Sequence, residues 1–399
     1  MRIVYVCSQR NLSLAAPAGY ATHMAETIGA MRACGHEVLP AVGSGVRSTT
    51  QAPKPARSSF LRRAAPRWLW QTGRDWTDLR SQKVFTAHVT PDVDRFGPEV
   101  VYERSAYLSE AGPTLARRLG VPLLLEVNAP FPDEHYDGTW SPLQVLGRLV
   151  ERRKMAAATR IVSVSGALRD HLVKQGARPE SVAVVPNGAN LSLFDPARVH
   201  ADSVRGRHGL GDGPVIGYAG SFFRWHAVGL RTLVKVVGQL QQSLPGLHLL
   251  VVGGGEQSPA DIAGNVHGAP WLTFTGQVPA TEVPQYLAAM DIAVIPHSSW
   301  YASPIKAFEY GAMGRPIVAA STGPVREIMR HGQDGLLFRP NHPGDLGRAL
   351  TSYLADPVTA QRHGRHFQEK VRAAHGWDTV ARRLLALCSE AIQHPPVTH

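Results

Sequence analysis

The chain has 399 residues and a formal net charge of +11, and its length suits two domains with separate cores. Hydrophobic residues make up 44% and charged residues 18% of it, a globular balance that argues against a coiled coil, a collagen-like chain or intrinsic disorder. The longest apolar runs, such as residues 121–125 and 247–252, fall far short of the ~20 residues of a membrane-spanning helix.

Cysteine content and charge indicate which cellular compartment and which binding partners to expect. The three cysteines are scattered and odd in number, so they give neither a disulfide framework nor a metal-ligand spacing. Because the N-terminus enters an apolar strand at once, we expect no signal peptide and a cytoplasmic protein. The basic charge permits several anionic partners, but a solvated arginine surface is the default interpretation. No zinc-finger spacing or aromatic–glycine RNA-binding motif is present, so we expect no nucleic-acid partner.

The first half of the chain alternates short apolar runs with stretches of helical spacing. Residues 20–34 carry apolar side chains at helical intervals and end at Gly35, which predicts a helix. Strands alternating with helices indicate a parallel, doubly wound sheet. The predicted strands are residues 3–7, 38–42, 99–102, 123–127, 160–165 and 182–185.

The same pattern restarts after a polar, turn-rich stretch at residues 187–212. An amphipathic helix is predicted over residues 230–244, among strands at residues 215–219, 247–252, 272–275, 292–295 and 316–320. We therefore predict an α/β fold of two doubly wound Rossmann-like domains, at residues 1–190 and 205–375. Ligands in such sheets bind beyond the carboxyl ends of the strands, so the cleft between the domains is the expected site.

The segment from Lys54 to Lys83 interleaves aromatic and apolar residues with arginines. One interpretation is a helix that contacts a membrane surface or the acceptor. The other is a partly buried insertion whose arginines extend their charged ends into solvent. We favour the second because the segment lacks a clean two-faced period. The residues concerned are Phe60, Leu61, Trp68, Leu69, Trp70, Trp76, Arg57, Arg62, Arg63, Arg67, Arg74 and Arg80.

The segment from Ser303 to Ala319 suggests the most chemistry. Ser303 is a good helix N-cap and Pro304 suits the first helical position. The free N–H groups near Ile305 and Lys306 would then form an anion site, and the Lys306 ammonium adds a charge within reach of a diphosphate. Glu309 follows on the same helix, where its carboxylate can accept hydrogen bonds from ribose hydroxyls. Alone, the motif fits a capped structural helix with surface lysine and glutamate equally well.

This segment closely resembles the family-four retaining glycosyltransferases of the GT-B fold. Several further segments carry the same resemblance in order, so it runs nearly end to end. They are the strand-serine-helix segment 160–168, the Val-Pro-Asn-Gly linker within 184–190, the strand-glycine turn 249–255, the segment 274–279 and the loop 332–337. The resemblance implies a donor-binding C-terminal domain and a C-terminal helix at 376–394, beginning near Trp377, that packs back onto the first domain.

The resemblance also implies the residues that hold a nucleotide-diphosphate sugar. Glu309 matches the second of two family glutamates that lie eight positions apart, and it would bind the ribose. Gly19 would let the backbone approach the donor, although a plain loop glycine is the alternative. The implied donor-binding residues are Gly19, Gly220, Ser221, His226, Gly254, Gln277, Val278, Ser303, Pro304, Ile305 and Glu309. The implied catalytic residues are Lys306, Arg224 and Asn128.

The chain departs from the family pattern at four positions. Tyr301 stands where the family has its first glutamate, and Asn128 stands where the family often has a histidine. Ser221 and His226 occupy the positions of an arginine and a lysine that clamp the diphosphate. Arg224 would supply the missing charge from another point of the loop, and His226 would help if protonated. An inactive or repurposed enzyme would show similar losses.

The acceptor is expected on the first domain, where charged side chains lie at the ends of two predicted strands. Glu103 and Arg104 end one strand, while Glu126 and Glu134 lie at and beyond the end of the next. These carboxylates suggest a polyhydroxylated or amino-bearing acceptor, such as an aminocyclitol, although ordinary surface charge is the alternative. The expected partners are therefore a nucleotide sugar and a small acceptor, and the sequence does not specify an oligomeric state.

The resemblance implies a retaining transfer in which the leaving phosphate itself accepts the proton of the acceptor. The chain has no Asp-x-Asp triplet and no histidine–cysteine cluster, so we expect no metal cofactor. Two alternatives use the same architecture: a nucleotide-sugar epimerase, and a degenerate transferase that acts only as a binding partner.

Overall fold

The chain divides into two compact units, each built around one parallel sheet. A computed structural model of the protein describes residues 1–10, 12–14, 19–43, 66–136 and 139–394. The first unit comprises Met1–Ala16, His23–Val185 and Ala381–His399, and the second comprises Pro17–Thr22 and Pro186–Val380. Each sheet has six strands, and helices alternate with the strands along the chain. The predicted α/β class is confirmed.

The first sheet has the strand order β2-β1-β3-β4-β5-β6. Its strands are β1 (Arg2–Cys7), β2 (Glu37–Val42), β3 (Val100–Arg104), β4 (Leu123–Val127), β5 (Arg160–Ser163) and β6 (Val182–Val184). Its helices are α1 (Gly19–Ala33), α2 (Arg67–Phe96), α3 (Ala111–Leu119), α4 (Gln144–Ala157) and α5 (Gly166–Lys174). All strand pairs are parallel, and the central strands are buried along nearly their whole length because helices cover both faces.

The second sheet has the order β12-β11-β10-β7-β8-β9 and is also parallel. Its strands are β7 (Val215–Ala219), β8 (His248–Val252), β9 (Leu272–Phe274), β10 (Ile292–Ile295), β11 (Ile317–Ala320) and β12 (Leu336–Phe338). The next helices are α6 (Asp202–His208), α7 (Arg224–Gln241), α8 (Pro259–Ala263), α9 (Val283–Ala288), α10 (Ile305–Ala312) and α11 (Gly323–Ile328). The last three are α12 (Pro343–Ala355), α13 (Pro357–Ala374) and α14 (Trp377–Gln393). Short 3-10 turns cover Pro179–Ser181, Pro196–Arg198 and Gly264–Val266.

The strand order of the second sheet fixes where its loops can bind a ligand. The chain runs from β7 outward through β8 and β9, then returns to the other side of β7 to form β10. The connections that follow β7 and β10 therefore diverge at adjacent strands, which opens a crevice at the carboxyl ends of these strands. Gly220 follows β7 directly, and α10 is the next element of the chain after β10.

Helix α2 is the longest element that the hydrophobic pattern of the sequence did not predict. It has 30 residues and ends at Gly97, which adopts a left-handed conformation with φ of 59°. Half of the predicted arginine–tryptophan segment lies in this helix, whereas Phe60, Leu61, Arg57, Arg62 and Arg63 lie outside the described residues. No helix in the described ranges is both long and apolar enough to cross a bilayer.

The bounds of the C-terminal helix α14, Trp377–Gln393, agree with the predicted helix at residues 376–394. Trp377 is its first residue, and the helix belongs to the first unit from Ala381 onward. Within that unit the Glu390 carboxylate lies 3.5 Å from the Arg160 guanidinium.

Candidate active site

The candidate site of the second unit lies where the loops after β7 and β8 approach each other. The Gly220 N–H donates to the Val252 carbonyl at 3.0 Å, and the Phe222 N–H donates to the Gly254 carbonyl at 3.0 Å. A methyl group on Gly220 would lie 2.7 Å from the Lys306 ammonium, and one on Gly253, whose φ is 122°, would overlap the Gly220 backbone. Glycine at these positions keeps the backbone bare beside the ammonium.

The Lys306 ammonium is fixed in this corner by Tyr218. Its Nζ donates to the Tyr218 hydroxyl at 2.9 Å and lies 4.2 Å from the centre of the Tyr218 ring. The Tyr218 hydroxyl in turn donates to the Ser221 carbonyl at 3.1 Å. Tyr218 is buried in β7, whereas Lys306 is half-buried. The sequence placed a lysine here but gave no signal for the tyrosine that holds it.

The start of helix α10 differs from the prediction. Ser303 does not cap the helix: the residue before its first turn is Pro304, and no side chain of the described residues caps it. The Ser303 hydroxyl instead accepts a hydrogen bond from the Asn187 N–H at 3.1 Å, and the Asn187 amide donates to the Ser303 carbonyl at 2.7 Å. The buried Asn187 N–H needs an acceptor, so it takes the hydroxyl that capping would have used. The first N–H groups of α10 therefore remain available to an anion.

Tyr310 joins α10 to the end of β7. Its buried hydroxyl accepts from the Ala219 N–H at 2.7 Å and donates to the Ala219 carbonyl at 3.1 Å. Lys306 and Glu309 lie three residues apart on this helix, so their side chains project from the same face. Glu309 is half-buried there. The helix thus presents one cation and one carboxylate from a rigidly attached element.

His226 is neutral in this environment. Burial and the nearby Lys306 charge lower the pKa of His226 to about 3. Its Nδ1 atom lies 3.0 Å from the Ser221 carbonyl, so this nitrogen carries the proton and donates. His297, whose ring lies 6.1 Å from that of His226, also has a pKa lowered by burial and by Lys306. The suggestion that a protonated His226 adds positive charge is therefore corrected.

The remaining predicted residues of the nucleotide-sugar site differ in their exposure and contacts. Arg224 is exposed at the first position of α7, and Ser221 is half-buried. The Gln277 side chain lies across Gly254, where a methyl group would come within 3.0 Å of its Cγ. Val278 packs against the core beneath the site. Gly19 is the exposed first residue of α1.

Replacement of His226 with asparagine should reduce the loss of stability at acidic pH. The unfolded chain binds a proton near the ordinary pKa of about 6.5, whereas the folded protein resists protonation down to about pH 3. Stability therefore falls as the pH drops below 6.5, and this residue accounts for up to about 2 kcal/mol by about pH 5. Denaturant unfolding of His226→Asn and wild type at neutral pH and at about pH 5 measures the difference. An equal loss in both proteins would contradict the neutral assignment.

In the first unit, Glu126 is the centre of a buried polar cluster. It accepts from His23 Nε2 at 2.6 Å and from the Arg104 guanidinium at 3.0 Å. The Tyr102 hydroxyl and the Asn128 amide also donate to it. Burial alone would raise the pKa of Glu126, but His23 and Arg104 hold it well below its usual range. Glu126 is thus a charged anchor for Arg104 and Asn128 and is not exposed to an acceptor.

Glu103 is also enclosed, at 0% exposure. Its carboxylate packs against Gly112, where any side chain would overlap it. Burial raises the pKa of Glu103 to about 7, with Lys154 opposing the shift. Of the four residues expected to meet an acceptor, only Arg104, which is half-buried, and Glu134, which is exposed, reach the surface.

Replacement of Glu103 with glutamine should stabilise the protein at high pH. The ordinary pKa is 4.5 and the folded pKa about 7, so the folded state holds the proton more tightly and stability falls as the pH rises between these values. At about pH 8 we expect Glu103→Gln to gain on the order of 2–3 kcal/mol over wild type, relative to their difference at about pH 4.5. Denaturant unfolding at the two pH values tests this. A pH-independent difference would show that the carboxylate ionises normally.

A third buried polar cluster, around Asp75, has no signal in the local sequence. The Asp75 carboxylate, on α2, accepts from Gln71 at 3.0 Å and from the Tyr136 hydroxyl at 2.7 Å, and His135 Nε2 lies 2.9 Å from it. These partners are 4 to 61 residues apart in sequence, so no local motif marks them. Within the described residues, no group of three or more histidine, cysteine, aspartate or glutamate side chains is arranged to hold a metal ion.

Known proteins share both the sequence pattern and the fold. Residues 18–188 match the family described as glycosyl transferase 4-like domain, and residues 213–356 match the family described as glycosyl transferases group 1. A D-inositol 3-phosphate glycosyltransferase of Catenulispora acidiphila is 30% identical over 317 residues, which cover 74% of this chain and 73% of that protein.

Two further proteins extend the comparison. A 2-deoxystreptamine glucosyltransferase of Streptomyces kanamyceticus is 28% identical over 263 residues, covering 62% of this chain and 65% of that protein. The crystal structure of Anabaena HepE in complex with UDP-glucose has a TM-score of 0.71 with this structure at 18% identity, covering 98% of this chain and 100% of that chain.

Proposed function

The chain belongs to the group 1 glycosyltransferases and has their GT-B fold, and we propose that it is a retaining, metal-independent enzyme that transfers a sugar to a small hydroxylated acceptor. The donor is a nucleotide-diphosphate sugar. One observation carries the proposal: the Lys306 ammonium lies beside the bare Gly220 backbone, at the uncapped N-terminus of α10.

The diphosphate would bind at this corner. The first N–H groups of α10 donate to phosphate oxygens, and the helix dipole favours negative charge at the same place. Lys306 adds a full charge, and Arg224, exposed at the first position of α7, would add a second. Neutral His226 donates through Nδ1 to the Ser221 carbonyl, so its Nε2 atom can only accept a hydrogen bond, and the side chain adds no charge.

The nucleoside would extend from the diphosphate along the second unit. Glu309 projects from the same face of α10 as Lys306, where its carboxylate can accept from the ribose hydroxyls. Gln277 and Val278, next to Gly254, would flank the base. This assignment follows the family resemblance and the short distance between Gln277 and Gly254.

The chemistry of the transfer requires that negative charge on the leaving diphosphate be neutralised as the glycosidic bond breaks. Lys306, Arg224 and the α10 N-terminus would do so without a metal ion. The acceptor oxygen forms the new bond to the anomeric carbon on the face that the leaving oxygen vacates, and the leaving phosphate takes the acceptor proton. The configuration of the sugar is then retained.

The acceptor would be held by the first unit. Arg104 and Asn128 are oriented by the buried Glu126 carboxylate, and Glu134 is exposed after β4. Two relatives act, by their names, on D-inositol 3-phosphate and 2-deoxystreptamine. Both compounds are polyhydroxylated rings, which favours a cyclitol-like acceptor.

The free cysteines, including the exposed Cys34, suit a reducing cytoplasm.

Replacement of Lys306 with alanine should nearly abolish transfer. Loss of one charged group aimed at the leaving phosphate typically costs about 100-fold or more in kcat. The assay is release of nucleoside diphosphate from a panel of UDP-, GDP-, ADP- and dTDP-sugars with mixed small acceptors. Lys235→Ala, which removes an exposed lysine from α7, is the matched control and should behave as wild type. Release from no donor would favour a binding-only protein.

Transfer should survive EDTA and preserve the anomeric configuration. Proton NMR of the product made from an α-linked donor is expected to show an α-linked sugar. A product of opposite configuration would exclude the retaining scheme, and loss of activity in EDTA that added magnesium or manganese restores would exclude metal independence.

A further inference from the structure

The first half of helix α2 buries polar side chains and exposes apolar ones. The side chains that face the protein include Gln71, Asp75 and Gln82, which are 6%, 0% and 7% exposed. A surface helix normally buries apolar residues and exposes polar ones. The reversed order explains why the sequence shows no ordinary two-faced period here.

The inward polar face is stabilised by the cluster around Asp75. Gln71, His135 and Tyr136 surround its carboxylate, and the Gln82 amide lies 3.4 Å from the Ser8 carbonyl. Buried polar groups cost little when they are hydrogen-bonded. The orientation of α2 is therefore fixed by specific hydrogen bonds, and its outward face is free to be apolar.

That outward face carries large apolar side chains. Trp68, Leu69, Trp70 and Trp76 are 41%, 47%, 42% and 58% exposed. Exposed apolar residues are ordinary when they occur singly, but a contiguous patch marks an interaction surface. Leu69 and Trp76 are seven residues apart and share one face of α2, and Trp68 and Trp70 lie on either side of that face. The four side chains therefore cover the exposed part of the helix near its start.

Helix α4 and the segment before it extend the patch. The Trp140 ring lies 6.1 Å from that of Trp68, edge to face, and is 54% exposed. Val145 and Leu149, one turn apart on α4, are 77% and 44% exposed. Leu79 of α2 and Leu146 of α4 pack against the same cluster of buried side chains, so the two helices are neighbours.

The charges on these elements are almost entirely positive. Asp75 and Glu151 are buried, and Asp78 is half-buried and paired with Arg10 at 2.9 Å. No carboxylate of residues 67–83 or 139–157 is fully exposed. Six exposed arginines form no ion pair within the described part of the chain: Arg67, Arg74, Arg80, Arg148, Arg152 and Arg153.

We propose that this tryptophan–arginine face, formed by residues 67–80 and 139–153, docks onto the surface of an anionic phospholipid bilayer. Tryptophan prefers the boundary between headgroups and acyl chains, where its ring is apolar and its N–H is wet. Arginine pairs with lipid phosphates while its aliphatic stem contacts the apolar layer. A protein partner would need acidic groups placed to match all six unpaired arginines. An anionic headgroup layer neutralises these charges without any such matching, because its lipids rearrange laterally.

The docked face lies beside the strand ends of the first unit. Asp78 and Gln82 of α2 contact Arg10 and Ser8, which follow β1. Arg104 ends β3 and Asn128 follows β4 in the same parallel sheet. The proposal concerns location at a membrane and does not depend on the proposed transfer reaction. Vesicle binding can therefore succeed or fail independently of turnover.

The test is co-sedimentation of the full-length protein with phosphatidylcholine vesicles, with and without about one third phosphatidylglycerol. We expect binding only to the anionic vesicles, weakened by salt. Arg148→Glu/Arg152→Glu should lower the partition coefficient at least tenfold, since each basic residue near the surface contributes about a factor of five. Trp70→Ser/Trp76→Ser should lower it by a similar factor while nucleotide binding is retained.

Two matched control variants distinguish binding through this face from the effects of net charge and of exposed apolar side chains elsewhere on the protein. Arg362→Glu/Arg365→Glu changes the net charge equally at exposed positions of α13, and Leu244→Ser/Val358→Ser removes exposed apolar side chains elsewhere. Both should bind vesicles as wild type does. Equal loss in the two arginine pairs would reduce the effect to net charge and overturn the proposal.

Two other outcomes would also overturn it. The first is sedimentation of wild type with neither kind of vesicle. The second is light scattering that shows a dimer, which Trp70→Ser/Trp76→Ser converts to a monomer, without any vesicle binding; that result would assign the face to a second copy of the chain.

Discussion

The hydrogen bond from the Lys306 ammonium to the Tyr218 hydroxyl is the contact on which the site of the second unit depends. It can form only because Gly220 has no side chain and because Tyr310 and Asn187 fix α10 against β7 and the linker. A flexible lysine thereby becomes a fixed charge at the switch point of a parallel sheet. The neutrality of His226 follows from the same charge and from burial.

Much of the fold could be predicted from the sequence because parallel strands covered on both faces leave continuous apolar runs. The predicted strands at residues 123–127, 215–219 and 292–295 are β4, β7 and β10 without change, and the other predicted strands differ by one or two residues at an end. The family resemblance identified Gly220 and Lys306 from the sequence. In the structure, a Cβ atom placed on Gly220 would lie 2.7 Å from the Lys306 ammonium. Local capping rules failed at Ser303, because its hydroxyl serves Asn187, which lies 116 residues away in sequence.

The features that hydrophobic periodicity did not predict depend on contacts between residues that are distant in sequence. Glu103 and Glu126 looked like acceptor contacts because they end strands, but their side chains point into the protein. Helix α2 has no two-faced period because a polar cluster lies beneath it and tryptophans lie outside it. In each case the buried polar group interacts with a residue distant in sequence, such as Lys154 for Glu103 and His135 for Asp75.

The most direct measurement is isothermal titration of the metal-free protein with UDP, GDP, ADP and dTDP, using wild type and Lys306→Ala. We expect one nucleoside diphosphate to bind wild type with unit stoichiometry, and binding to the folded variant to be at least tenfold weaker, since a charge-assisted contact to phosphate contributes about 1.5–3 kcal/mol. Equal affinity for both proteins, or no binding of any nucleotide, would contradict the assignment of the Lys306 corner as the diphosphate site.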